Sequence, residues 1–279
     1  MADKEQEKLI ERKFKNKSEL VSVLASVYPQ SAEREMKRYL RRYANGLHKI
    51  ITRAQKDIAS GRPKKAVLRR ASRQIEELGE KYDLTPEMGK ISRQVADTEE
   101  AQFRRSFYKT VGVEMKPFDK DMLQKEQDDW TLETIGAIAL YLMMMEKKLD
   151  KVASIKETEA EMEKLVKEAD EITEISRNRV GDLMASVNTK IYNTFGIKRY
   201  VWRTRRDHKV RGCHRSFDGH IFRVDQPPEI WYETKHGRVY TGRFCHPGED
   251  YNCRCRAIPL FTKEAVMTIL TREKWKKTA

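Results

Sequence analysis

The chain has 279 residues, enough to bury a hydrophobic core in one large domain or two ordinary ones. Its residues are 36% charged and 39% hydrophobic, which argues against a disordered or fibrous chain and favours exposed helices. The most apolar stretch, residues 135–145, is shorter than the roughly 20 residues that a bilayer requires. We therefore predict a buried helix there and no membrane partner. The formal charge of +14 indicates a polyanionic partner, most commonly nucleic acid.

The amino-terminal charges are not followed by an apolar segment, so no cleaved export signal is expected. The protein is then expected to stay in the cytoplasm of the cell that makes it. Cytosolic thiols are kept reduced, so the four cysteines are predicted to be thiols or metal ligands rather than a disulfide framework.

Residues 1–174 are predicted to form a basic helical part. Apolar residues recur at steps of three and four, which places them on one helical face: Met36, Leu40, Tyr43, Leu47, Ile50, Ala54 and Ile58. Gly61 and Pro63 predict the end of this helix, and a second helix is predicted over residues 66–78. Basic side chains are the candidates for non-specific contact with DNA, namely Arg41, Arg42, Lys64 and Lys65.

Residues 175–279 are predicted to form a small mixed α/β module, which makes the whole chain α+β. Short alternating stretches at residues 200–204 and 220–224 predict strands, and the last residues, 262–279, predict a basic amphipathic helix. The charge balance is +10 for residues 1–120, −4 for residues 121–200 and +8 for residues 201–279. A long helix, or two helices packed as a hairpin or coiled coil, is predicted over residues 155–191, which extends into the first residues of the module.

A cluster of soft-metal ligands falls within residues 213–255 of the module. The pair Cys253 and Cys255 points to one side if its segment is extended, as two ligands of one metal would. We predict a structural zinc ion with four preferred ligands and two substitutes, namely His214, Cys245, Cys253 and Cys255, with Cys213 and His246 as the substitutes. Reduced buried cysteines and a disulfide remain as alternatives. Arg254 and Arg256 alternate with the cysteines, so they are predicted to face solvent and to contact phosphate.

The polar residues of the module allow two further interpretations. Asp207 and Asp218 lie close in sequence to His208 and His220, as in metal-dependent nucleases, but the paired zinc knuckles of an HNH site are absent. Motifs of nucleotide-driven motors, Rossmann enzymes, α/β-hydrolases and zincins are absent too. Alternatively, the polar residues form an internal network in which Arg211 pairs with a buried carboxylate.

Together these residues resemble a known family. The segment with Trp202, Asp207, Arg211, His214, Asp218 and Gly219, followed by residues 246–255 (HPGEDYNCRC), is similar to the Mu F-like phage head-morphogenesis proteins. The resemblance covers roughly residues 175–261. Relatives with a C-x-x-C first motif carry a metal pair there, whereas this sequence has Arg211 and His214, with Cys213 out of register.

The resemblance implies a minor head protein of a tailed bacteriophage. Such a protein is expected inside the capsid near the portal vertex, with the portal, a scaffold or major capsid protein and phage DNA as partners. It would act in procapsid assembly and in DNA packaging or release. Some relatives carry the module fused to toxin enzymes, but no separate enzymatic domain is visible here. We therefore expect no enzymatic activity, and a metal-dependent nuclease or phage-associated toxin domain is the alternative.

Overall fold

A computed structural model describes residues 4–24 and 27–275 of the chain. Within these residues the helices are α1 (Lys4–Phe14), α2 (Gln30–Ala59), α3 (Lys64–Glu80), α4 (Thr85–Val111), α5 (Gln124–Val152), α6 (Thr158–Glu168), α7 (Ile175–Thr194), α8 (Gly212–Phe217) and α9 (Lys263–Trp275). Short 3-10 helices precede α5 and α7. The strands are β1 (Glu19–Val21), β2 (Arg199–Arg203), β3 (Ile221–Arg223), β4 (Glu229–Thr234), β5 (Gly237–Phe244) and β6 (Arg256–Thr262). The predicted α+β class is confirmed.

The chain divides into two compact units that are not continuous in sequence. The sheet unit contains residues 1–29, 94–126 and 180–279, and the helical unit contains residues 30–93 and 127–179. The boundaries fall inside α4, α5 and α7. This division differs from the predicted one at residue 174, because segments far apart in sequence pack into the same core.

The sheet unit contains an antiparallel sheet with strand order β1-β6-β2-β3 and a separate hairpin of β4 and β5. Val201, Ile258 and Leu260 are buried on β2 and β6. Aromatic rings extend this core, since Phe107 and Phe261 meet edge to face at 5.5 Å between ring centroids. The predicted strands at 200–204 and 220–224 correspond to β2 and β3. The last four residues of the predicted C-terminal helix lie outside the described residues.

The helical unit is organised around α2, which packs against α3, α6 and the 3-10 helix at residues 169–174. The buried face of α2 follows the predicted periodicity, except that Ile51 is buried and the predicted Ile50 and Ile58 are not. Gly61 lies in the left-handed region, with φ +84°, where the helix has ended. Within the described residues, no helix combines the length and the apolar character needed to cross a membrane.

The buried helix predicted at residues 135–145 is present, but it is buried on one face only. The stretch lies in α5, and only one of its faces is buried, by Ile138, Leu142 and Met145. Leu140 is 67% exposed and Met143 is 51% exposed. An apolar run spans every face of a helix, whereas the packed core of the helical unit covers only one of them.

Two glycines allow α7 to pass very close to the loop that follows β5. A Cβ atom on Gly181 would lie 2.5 Å from the carbonyl oxygen of Gly248. Gly248 has φ +113°, and a Cβ there would lie 2.8 Å from the carbonyl oxygen of Gly181. This approach fixes the position of the loop at residues 245–255, which carries the cysteine pair.

We predict that Gly181→Ala destabilises the protein by about 2 kcal/mol, because the new methyl group would overlap the backbone carbonyl oxygen of Gly248 and force the backbone to shift. The matched control is Gly136→Ala in α5, where nothing lies within 4 Å of the added Cβ. That change should be neutral or stabilise by up to ~1 kcal/mol, through higher helix propensity. Urea denaturation followed by circular dichroism measures both variants. Equal effects of the two substitutions would contradict this account of the loop.

Candidate functional site

The first ligand of the candidate metal centre is His214, which lies in the short helix α8. The side chain is buried, and its ring lies 5.4 Å from the indole of Trp202 between centroids. Phe217, one turn further along α8, packs edge to face on the same indole at 5.1 Å. The fully buried Trp202 on β2 therefore packs against the rings of both His214 and Phe217, which holds the imidazole in place.

The second and third ligands come from the loop before β6. The N–H of Cys253 donates to the carbonyl oxygen of Asp250 at 2.9 Å, and Asn252 has φ +54°. This tight turn places both thiols on the side of His214. Its Nδ1 atom lies 3.7 Å from Sγ of Cys253 and 3.6 Å from Sγ of Cys255. The ligand atoms of these three buried residues all lie within 4.8 Å of one another.

Asp250 connects this cluster to two arginines. Its carboxylate has no solvent exposure and accepts hydrogen bonds from Nη1 of Arg211 at 2.5 Å and Nη2 of Arg243 at 2.8 Å. The same carboxylate lies 3.0 Å from Nε2 of His214. An imidazole bonded to a carboxylate through Nε2 offers Nδ1 to a metal, which is the usual orientation of a metal-binding histidine.

Without a metal, the electrostatics favour a protonated His214 beside the thiolate of Cys253, and a bound cation would displace the proton from Nδ1 of the imidazole. Burial would raise the pKa of Asp250, but the hydrogen bond from His214 and the charge of Arg211 lower it to about 2. Burial would lower the pKa of His214, but its bonds with Asp250, Cys213 and Cys253 raise it to about 11. Hydrogen bonding by Cys255 lowers the pKa of Cys253 well below its ordinary value, which favours the thiolate that binds metals. Bonding to Cys253 and burial raise the pKa of Cys255.

The remaining predicted ligands do not join the three within the described residues. Cys245 follows β5, and its N–H donates to the carbonyl oxygen of Pro228, so its backbone is tied to the start of the hairpin. Cys213 hydrogen-bonds with the neighbouring His214, but it is outside the group whose ligand atoms all lie within 4.8 Å of one another. His246 lies with Nδ1 3.2 Å from the hydroxyl oxygen of Tyr200.

The motif residues Asp207, Asp218 and Gly219 form internal contacts. Asp218 accepts the N–H of Thr204 at 2.8 Å, and its other oxygen accepts Nε of Arg206 at 2.9 Å. Gly219 has φ +83° and donates its N–H to the carbonyl oxygen of Trp202 at 2.8 Å. Although burial opposes it, hydrogen bonding by Arg254 lowers the pKa of Asp207.

The prediction that Arg254 and Arg256 face solvent to contact phosphate is wrong for Arg256. Its side chain is buried because β6 is an inner strand of the sheet, between β1 and β2. It lies 5.3 Å from the ring of Tyr28, and burial lowers its pKa to about 10 against the opposing charge of Glu99. Arg254 is half-buried, and its Nη2 lies 2.9 Å from a carboxylate oxygen of Asp207. Neither guanidinium is therefore fully exposed and free of a contact with another side chain, as the predicted phosphate contact would require.

The histidines of the nuclease interpretation lie apart from the cysteines. His208 and His220 are exposed, and neither belongs to the group of His214, Cys253 and Cys255. A pocket of about 500 Å³ lies beside His208 and has a largely polar lining. Its lining residues are Thr204, Arg206, Asp207, His208, Val210, Arg215 and Asp218. Both of its carboxylates are engaged by arginines.

Sequence reasoning missed the roles of Asp250 and Arg243. Asp250 stands in the motif at residues 246–255, but nothing in that string marks one acidic residue as buried. Arg243 occupies an exposed strand of the hairpin, and its ion pair with Asp250 depends on how the next loop folds back. The available signal for Asp250 was its position, three residues before the ligand Cys253.

Comparisons with known proteins add to this geometry. Residues 145–258 match the family model described as Phage Mu protein F like protein, so the match begins before the predicted start near residue 175. A protein of Haemophilus influenzae named only as uncharacterized is 35% identical over 86 residues, which are 31% of this chain. The chain matches only 16% of the length of that relative. No solved structure matches the chain.

We propose that His214, Cys253 and Cys255 hold a zinc ion. One imidazole and two thiolates are typical zinc ligands, and a tetrahedral ion would retain a fourth position for water or another side chain. Asp250 would orient the imidazole from its far nitrogen. The donor set therefore fits zinc, with three of the four ligands that the sequence predicted.

Protein purified under reducing conditions without metal-affinity resin should contain about one zinc ion per chain by elemental analysis. Cys253→Ser and His214→Ala should lose the metal, and Asp250→Asn should weaken binding about 10- to 100-fold. The matched control is Cys245→Ser, which removes a buried thiol outside the group and should keep the zinc. Zinc-free preparations whose thiols react only after unfolding would favour buried cysteines without metal.

Proposed function

We propose that this chain is a minor head protein of a tailed bacteriophage, because residues 145–258 match the family model described as Phage Mu protein F like protein. The match supports a role in phage head morphogenesis, and it includes all three clustered ligands as well as Asp250. We place the protein inside the virion near the portal vertex, after synthesis in the host cytoplasm. There it acts in procapsid assembly and in DNA packaging or release.

The proposed partners are the portal protein and a scaffold or major capsid protein. The role is structural rather than enzymatic. The carboxylates of Asp207 and Asp218 bind arginines and a backbone N–H. The nearby His208 and His220 do not belong to the cluster of metal ligands. A metal-dependent nuclease would need a histidine and carboxylates free to act on water or phosphate.

Assembly separates a head protein from a nuclease or toxin. Co-expression with the portal of the same genome should yield a complex that co-purifies, and phage lacking the gene should make capsid protein but defective heads. His208→Ala and His220→Ala should leave infectivity unchanged, because both side chains are exposed and perform no bond-making step. Asp250→Ala should abolish incorporation, since it leaves two arginines without their buried partner.

Loss of infectivity in His208→Ala or His220→Ala, with the protein still folded and present in particles, would contradict the structural role. A metal-dependent hydrolase would then be the better hypothesis. Absence of any complex with the portal, together with normal heads in the deletion phage, would contradict the head role itself.

We also propose non-specific contact with phage DNA. Arg41 and Arg42 are exposed on α2, and Arg42 lies over the ring of Tyr39 at 5.1 Å. Lys65 is exposed, whereas Lys64 is half-buried and donates to the carbonyl oxygen of Ile155. In the module, the exposed Lys209 and Arg215 replace Arg256 as candidates. Exposed guanidinium and ammonium groups bind phosphates largely by releasing counterions.

Binding to duplex DNA should be independent of sequence and should weaken steeply as salt rises. Arg41→Glu with Arg42→Glu should reduce affinity about 10-fold or more in fluorescence anisotropy at low salt. The matched control is Lys164→Glu with Lys167→Glu on the acidic helix α6, which changes the net charge equally. Equal losses in both pairs, or tight binding that persists at high salt, would contradict a DNA surface on α2.

A further inference from the structure

An apolar groove opens in the helical unit between the end of α3 and the middle of α5. Its volume is about 530 Å³, within the range of cavities that hold ligands or side chains of a partner. The floor is formed by Ile75, Ile138 and Leu142, which are buried. Gly79 and Ala139 also line the groove, and their small size leaves the space unfilled.

The side of the groove formed by α5 explains the unusual apolar stretch at residues 135–145. Met143 lines the groove and is 51% exposed. Leu132 and Leu140 on the same helix are 69% and 67% exposed and lie outside the lining of the groove, so they extend the apolar surface beside it. Large apolar side chains gathered at one exposed place mark an interaction surface more often than scattered ones do.

The rim of the groove is acidic in a strongly basic protein. Its lining includes four carboxylates and no lysine or arginine, the carboxylates being Glu76, Glu80, Asp83 and Glu146. None of the four forms an ion pair with another described residue, although the chain as a whole carries a net charge of +14. An apolar floor with unneutralised carboxylates around it is complementary to an apolar surface flanked by cations.

We infer that this groove binds an amphipathic helix of a partner protein, with an apolar stripe flanked by lysine or arginine. Such a helix would lay its apolar side chains into the groove and bring its cations to the acidic rim. A second copy of this chain fits less well, because the basic helix α2 keeps its apolar stripe buried. The inference does not depend on the role in phage heads.

A synthetic peptide of about five helical turns tests this, with leucines on one face and lysines on both flanks. Fluorescence anisotropy with the full-length chain should show saturable binding. Glu76→Lys with Glu80→Lys should weaken it about 10-fold or more, and Ala139→Trp should weaken it by filling the groove. The matched control is Glu159→Lys with Glu163→Lys on α6, both exposed, which should change affinity less than about 2-fold.

Several results would overturn the inference. Absence of binding by the lysine peptide, or equal binding by the same peptide with glutamates in place of the lysines, would remove the charge complementarity. An equal loss of peptide affinity in the groove variant (Glu76→Lys with Glu80→Lys) and the α6 variant would indicate general charge attraction without a specific site. Concentration-dependent self-association that is abolished by Ala139→Trp would identify a second copy as the occupant. Circular dichroism and urea midpoints of the variants establish that each one folds.

Discussion

The buried carboxylate of Asp250 is the group on which the polar centre of the sheet unit depends. A carboxylate without solvent must be compensated by hydrogen bonds and opposite charge, and here two arginines and an imidazole provide them. These donors belong to the residue before α8, to α8 itself and to β5. One side chain therefore holds α8 with its N-cap residue and β5 against the loop of the cysteine pair. Removal of a partner from such a buried group typically costs about 3–5 kcal/mol.

The same requirement explains why several arginines of the module are paired with carboxylates. Arg254 pairs with Asp207 and Arg206 with Asp218, while the buried Arg256 lies in the field of Glu99. Burial raises the pKa of Glu99 to about 7 although Arg256 and Asn188 oppose the rise. A high count of basic residues consequently overstates the charge that this protein can offer to DNA, because part of that charge neutralises carboxylates inside the module.

Much of the fold followed from local patterns. The apolar period of α2 and the stop at Gly61 and Pro63 are properties of a short window, since a helix bonds residues four apart. The strand β1 has no such signal. Its three residues become a strand only by pairing with Leu260–Thr262, which lie far along the chain. The division into two interleaved units was invisible for the same reason, because long-range packing decides it.

The sequence by itself determined the chemistry of the candidate site: all four cysteines and His214 fall in one short region, and Cys253 and Cys255 alternate. Only the tertiary structure decided which side chains meet. It brought His214 to Cys253 and Cys255, left Cys245 beside the hairpin and buried Asp250 behind the imidazole. Spacing along a chain fixes the reach of a ligand, whereas its direction depends on how α8, the hairpin and the loop pack together.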